Sequence, residues 1–205
     1  MTSILYDCFS FTTMNKKTKR DFFQEETLKL IYEKGFKATT MRDIAQRLDF
    51  EVGNVYNYID SKQSLLDYHL FDIQNEFIDS MGQILASSFS PKEKLRQVIS
   101  SYIQISSNRP YEQAMVVNEW RNLKESRLKE FHEGRTKYER SLQRIIQNGI
   151  EQGDFENRDV EITTQTIMAA LRWIYTLFID PKDKINPIEV EKQLTDFIFG
   201  GTCTD

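Results

Sequence analysis

The stretch from Thr40 to Leu66, TMRDIAQRLDFEVGNVYNYIDSKQSLL, decides the fold of this chain. Thr40 is followed three positions later by Asp43, a weaker form of the capping box that opens a helix. Met41, Ile44, Ala45 and Leu48 then recur on one helical face. Asp49-Phe50 interrupts the pattern, and a second short helix is expected over residues 51–59, with Val52, Val55 and Ile59 turned toward the body. Asp60-Ser61 separates it from a longer helix running from Lys62 to about Leu85. Helices this short are marginal alone and need shared packing. Two of them around a tight corner make a helix-turn-helix, whose second member commonly lies in the DNA major groove.

The polar side of that second helix supports the same reading. Asn54 and Asn57 carry amides that can bond to base edges or phosphates, and the hydroxyls of Tyr56 and Tyr58 can reach phosphates. Gly53 lets a backbone come close. Ser61 caps the following helix, whose free N–H groups together with Lys62 suit a phosphate. Thr40 can donate to a phosphate while capping, and Arg42 stands one turn into the supporting helix. Each has a plainer alternative: Tyr56 or Tyr58 can pack between helices, and capping alone accounts for Thr40. A basic run, Lys16, Lys17, Lys19 and Arg20, precedes the first helix and can trail along a phosphate backbone or be merely solvated.

Around this head the chain reads as helical throughout, an all-α protein. A first helix is expected from about Lys17 to Lys34, with Phe22, Phe23, Leu28, Ile31 and Tyr32 as its apolar positions and Gly35 as its stop. Beyond the head come a helix opened by Pro91, another in PYEQAMVVNEW, and a long polar helix with a sparse stripe from Leu128 to Ile150 that ends near Gly153. VEITTQTIMAALRWIYTLFI is more apolar than one buried face requires, and a last amphipathic helix follows Pro187 and stops at Gly200-Gly201. This final pair reads as core on one side and subunit contact on the other. The expected organisation is a poorly ordered leader over residues 1–15, a DNA-binding unit over 16–62, and a larger ligand-binding and dimerisation unit over 63–205. Translation starting at Met14 is one explanation of the leader.

Composition narrows the remaining choices. The chain has 205 residues, 40% hydrophobic and 28% charged, with a net charge of -4. No run of uncharged apolar residues is long enough to span a membrane, and the N-terminus lacks the order of a signal peptide, so a cytoplasmic location is expected. Up to Leu66 there are ten lysines and arginines against nine acids, so the head is near neutral and the rest acidic. Cys8 and Cys203 form no CxxC, and His69 and His132 have no partner at ligand spacing, so neither a disulfide framework nor a metal site is expected. GxSxG, HExxH and glycine-rich phosphate loops are absent, which argues against an enzyme and against a cofactor.

The run from Thr40 to Leu66 resembles the DNA-binding domain of the TetR family of one-component bacterial transcriptional regulators. The matching residues are Thr40, Ile44-Ala45, Asp49-Phe50, Tyr56-Asn57-Tyr58-Ile59, Ser61-Lys62 and Leu65-Leu66. Two positions depart from the pattern. Asp49 stands where glycine is usual, and aspartate can take the left-handed conformation at some cost. Glu51 replaces a capping serine or threonine and brings negative charge toward a phosphate. The resemblance implies a homodimer on a palindromic operator, usually a repressor, released by a small molecule. VNEWRNLKESRLKEF and the C-terminal region from AALRW onward look like the branch of fatty-acid and sterol catabolism repressors, which implies an acyl-CoA effector. A hydrophobic acid or other apolar metabolite is the alternative. Expected ligand contacts are Tyr102, Asn108, Arg109, Met115, Asn118, Glu119, Trp120, Arg121, Arg172 and Trp173, although an ordinary ion pair or core position explains each taken singly. The competing account of the whole is a helical scaffold that has lost operator binding, for which Glu51 speaks.

Overall fold

The computed structural model describes residues 18–179 and 185–202. The expected leader, Met14, Lys16, Lys17, Cys8 and Cys203 lie outside the described residues. Among the described residues the fold is all-α. The N-terminal helices are α1 (Lys19–Lys34), α2 (Met41–Arg47) and α3 (Val52–Val55), followed by the long α4 (Lys62–Ala86). The larger bundle adds α5 (Pro91–Asn108), α6 (Pro110–Asn118), a 3-10 turn (Trp120–Asn122), α7 (Glu125–Gln152), α8 (Val160–Arg172), α9 (Thr176–Ile179) and α10 (Pro187–Thr202).

Local chemistry accounts for most of the boundaries. Reciprocal caps open α1 through Thr18 and Asp21, α2 through Thr40 and Asp43, and α5 through Ser90 and Glu93, with Pro91 at the first turn. Ser61 and Ser64 cap α4 in the same manner. Gly153 ends α7 in the left-handed conformation at φ 80°. Gly149 lets the α7 C-terminus receive Phe155, since a Cβ there would lie 2.1 Å from the Phe155 ring.

The hydrophobic interior forms two clusters. One joins Phe23, Ile31, Ile44, Val55, Leu65, Leu66 and Leu70 to Met115, Leu123 and Phe131. The other fills the larger bundle around Ile73, Leu95, Ile99, Leu142, Ile145 and Leu171. α4 contributes to both, its first two turns to the head and its later turns to the bundle, while α6 packs on α1. Head and bundle therefore share a packed seam as well as a helix.

Four expectations need correction. The second short helix covers only Val52–Val55, because Asn57 and Tyr58 continue in turn geometry and the Tyr58 ring stacks on Phe23 at 4.6 Å. Val52 does not hold it to the body: it is 39% exposed, and Val55 alone of that helix is buried. Phe22 and Tyr32 are likewise on the exposed side of α1. The apolar helix at 160–179 is broken after Arg172, where Ile174 and the first residues of α9, Thr176, Leu177 and Phe178, donate tighter i to i−3 bonds.

Candidate DNA-reading head and effector cavity

Asp49 takes φ 54°, so the corner between α2 and α3 is turned by an aspartate in the left-handed region. Glu51 occupies the N-cap of α3 and makes no side-chain capping bond. Gly53, Asn54, Tyr56 and Asn57 are exposed around this helix, and Arg42 is exposed on α2. They belong to the two segments that flank the corner at Asp49. Gly53 has open space around it. Thr40 is exposed, but its hydroxyl is occupied as a cap, donating to Asp43 Oδ2 at 2.6 Å.

Tyr58 and Lys62 are placed differently. Tyr58 is half-buried between Phe23 and Phe50, with ring centroids at 4.6 and 5.8 Å. Lys62 Nζ donates to the carbonyls of Phe36 and Thr39, both at 2.5 Å, and sits 4.4 Å above the Phe36 ring. Burial pulls its pKa down, with the charges of Glu119 and Asp43 opposing. Lys62 thus clamps the turn between α1 and α2.

Between α4, α5, α6, α7 and α8 lies a cavity of about 110 Å³. Its wall is aromatic and aliphatic: Phe77, Tyr102, Val116, Val117, Trp120, Phe131, Tyr138 and Met168. Gln74, Gln113, Arg135, Glu139 and Arg172 add polarity. Gln74 Nε2 donates to the Phe131 carbonyl at 2.8 Å, an approach that Gly134 permits because it carries no side chain. Gln113 Nε2 donates to Tyr102 Oη at 2.7 Å. Burial raises the Tyr102 hydroxyl to about 12, so it is a neutral phenol. Arg135 is depressed chiefly by burial, with Arg172 and Arg121 adding to the effect and Glu139 opposing at a separation of 3.9 Å. Cations held this way beside an apolar space suit an anion.

Of the expected ligand contacts, Tyr102, Trp120 and Arg172 line the cavity. Arg121 is exposed, its guanidinium stacked 4.2 Å over the Trp120 ring. Met115, Asn118 and Glu119 border a separate gap of about 100 Å³ between α1 and α6. Arg109 is taken by Asp72, Glu76 and Glu112 in an ion-pair cluster on the outer side of α4. Asn108 and Trp173 are exposed and border neither space. Arg135 was missed, although its signal was available: it stands four residues after Phe131 and three before Tyr138, on the face of the apolar stripe.

The description "Tetracyclin repressor-like, C-terminal domain" matches residues 88–202, and "Bacterial regulatory proteins, tetR family" matches residues 25–68. The chain belongs to the TetR family. It is 25% identical over 192 residues to the HTH-type transcriptional repressor KstR2 of Mycolicibacterium smegmatis, covering 93% of both chains. The solved structure of the ketosteroid transcriptional regulator KstR2 of Mycobacterium tuberculosis superposes with a TM-score of 0.84 at 20% identity, covering 92% of this chain and 97% of that one. AibR, solved in complex with isovaleryl coenzyme A and operator DNA, gives a TM-score of 0.73 at 18% identity, over 89% and 98% of the two chains. At such identities the structural likenesses show the shared fold. Among the described residues no helix is long and apolar enough to cross a membrane.

Proposed function

We propose that this TetR-family chain is a cytoplasmic, dimeric transcriptional repressor that leaves its operator when an acyl-CoA enters the cavity between α4 and α8. The observation that carries the effector reading is the pairing of an aromatic-aliphatic cavity with Arg135 and Arg172. An acyl group fits the former and an anionic carrier the latter. A relative named as a fatty acid metabolism regulator protein, a neighbour named as a ketosteroid transcriptional regulator, and a neighbour solved with isovaleryl coenzyme A support this class of ligand. At about 110 Å³ the cavity is small beside a long acyl chain, and a chain that outgrows it would part the helices around it. That separation is the work an effector would do on the head.

Residues 16–62 serve in this proposal as the reading unit, with Asn54, Tyr56 and Asn57 facing DNA, and 63–205 bind effector and partner subunit. Ile162 on α8 and Ile188 and Phe197 on α10 are 69–74% exposed. They are apolar positions that a dimer through these helices would cover.

The test is a titration of the gene's own upstream region, repeated with palmitoyl-CoA and with free CoA. A specific shift abolished by the thioester alone supports both parts. A specific shift indifferent to thioester keeps the repressor and removes this effector. The scaffold alternative rests on uncapped Glu51; it gains if folded protein shifts no upstream fragment.

A further inference from the structure

Glu119 ends α6 one residue before Trp120, whose indole forms part of the cavity wall. Its carboxylate faces away from that cavity. One oxygen accepts the Phe36 backbone N–H at 3.2 Å, and the other accepts from Asn122 Nδ2 at 2.6 Å. Phe36 belongs to the turn between α1 and α2, whose carbonyls at Phe36 and Thr39 are held by Lys62. Thr40, the next residue, is the N-cap of α2. The turn is therefore gripped from two sides, on its amide by the effector-binding bundle and on its carbonyls by the first residue of α4. Gln63 Nε2 adds a bond to the Asn122 carbonyl at 3.3 Å, tying the same 3-10 turn to α4.

The seam beside this bridge holds unfilled space. The gap of about 100 Å³ between α1 and α6 is bordered by Leu28, Ile31, Tyr32 and Met115, with Glu119 at its edge. Side chains lining such a space lack partners on one side, so a small shift of α6 against α1 forfeits few contacts there. A displacement of Trp120 would reach the head through a single residue, whereas a swing of α4 must be carried along its whole length.

Resting on the function proposed above, we infer that Glu119 is a positioning residue that transmits cavity occupancy into the α1–α2 turn, a second route of coupling beside the α4 lever. The bridge aligns α2 and α3 in the ligand-free protein, and an effector that displaces Trp120 withdraws the carboxylate from the Phe36 amide. Coupling between two sites in one protein is commonly about 5–150-fold in affinity, so loss of one of two routes is measurable.

The experiment compares the full chain with Glu119→Ala in three readouts. Amide exchange at Phe36, without DNA or thioester, accelerates at least about tenfold in the variant. Operator affinity without effector falls by about 3–10-fold, and palmitoyl-CoA then weakens binding by less than about 3-fold, against at least about 10-fold in the parent. Thioester binding to the DNA-free variant is at least as tight as in the parent, because effector entry no longer has to break the bridge. An unchanged Phe36 exchange rate, or parental operator affinity with the parental thioester response, overturns the inference. If Glu119→Ala does not fold, Glu119→Gln serves, because its single acceptor oxygen faces two donors. A parent that binds operator but ignores palmitoyl-CoA defeats only the effector class, and the first two readouts still decide the bridge. A parent that binds neither defeats the regulator reading and this inference with it.

Discussion

Two glycines show how differently one residue type can matter. At Gly149 an added Cβ would lie 2.1 and 2.3 Å from ring atoms of buried Phe155, a rigid neighbour with nowhere to turn. Gly149→Ala should cost about 1–3 kcal/mol through overpacking, seen as a lower urea midpoint at unchanged slope. Gly53 has nothing within 4 Å and sits in an exposed helix. There alanine relieves backbone entropy and should stabilise by up to about 1 kcal/mol. If DNA comes close to this backbone, Gly53→Ala will nevertheless weaken operator binding while the melting temperature holds or rises. Equal operator affinity in parent and variant would remove Gly53 from the interface. The need for glycine at 53 could be posed from its place in the reading helix. The need at 149 could not, because Phe155 reaches it only after the chain has turned at Gly153.

Among the elements, those with strong periodicity and paired caps were legible, and those decided by distant partners were not. Thr40 with Asp43, Pro91 and Gly153 mark their helix ends locally, as the structure bears out. The short extent of α3 depends on Phe23 and Phe50 drawing in the Tyr58 ring, a contact between separate segments that period alone does not contain. The break after Arg172 goes with the buried Tyr175, whose hydroxyl oxygen accepts a hydrogen bond from Asn118 Nδ2 of α6 at 3.2 Å. α3 also supplies the prediction proper to this scale. It has four residues, and Glu51 at its N-cap gives it no side-chain bond. Glu51→Thr should add about 1 kcal/mol of stability and, by removing a negative charge beside the reading surface, tighten operator binding most at low salt. Thermal unfolding and a salt series of the titration check the two halves separately. Stability gained with operator affinity unchanged would place Glu51 away from the phosphates.

Across the whole molecule, the all-α plan and the helix-turn-helix were readable from spacing, while the seam between head and bundle was not. Glu119 and Lys62 looked like ligand and phosphate contacts, yet both meet the backbone of the turn at 36–39, which is far from Glu119 in sequence. His69 lies along the same α4, 3% exposed, where the helix passes from the head cluster toward the bundle. Neither ring nitrogen has a hydrogen-bond partner among the described residues. Burial is the main cause of a pKa lowered to about 4, with Arg109 adding to it and Asp72 opposing. In the unfolded chain the ring titrates near its ordinary value of 6.5. Below that value the unfolded state therefore binds the extra proton, and the folded state does not bind it until pH approaches 4. Stability is complete above the unfolded value and is lost as pH falls through this window, by an amount on the order of 3 kcal/mol. Asp43 and Glu93 have pKa values held below the ordinary carboxylate range by their hydrogen bonds, so their contributions disappear at lower pH. Urea unfolding at pH 7.5, 6 and 5 should thus show a falling midpoint in the parent and a much flatter one in His69→Leu. A parent whose midpoint does not move across that range would mean that water or a rearranged α4 solvates the charged ring, and that the seam around His69 is looser than its packing.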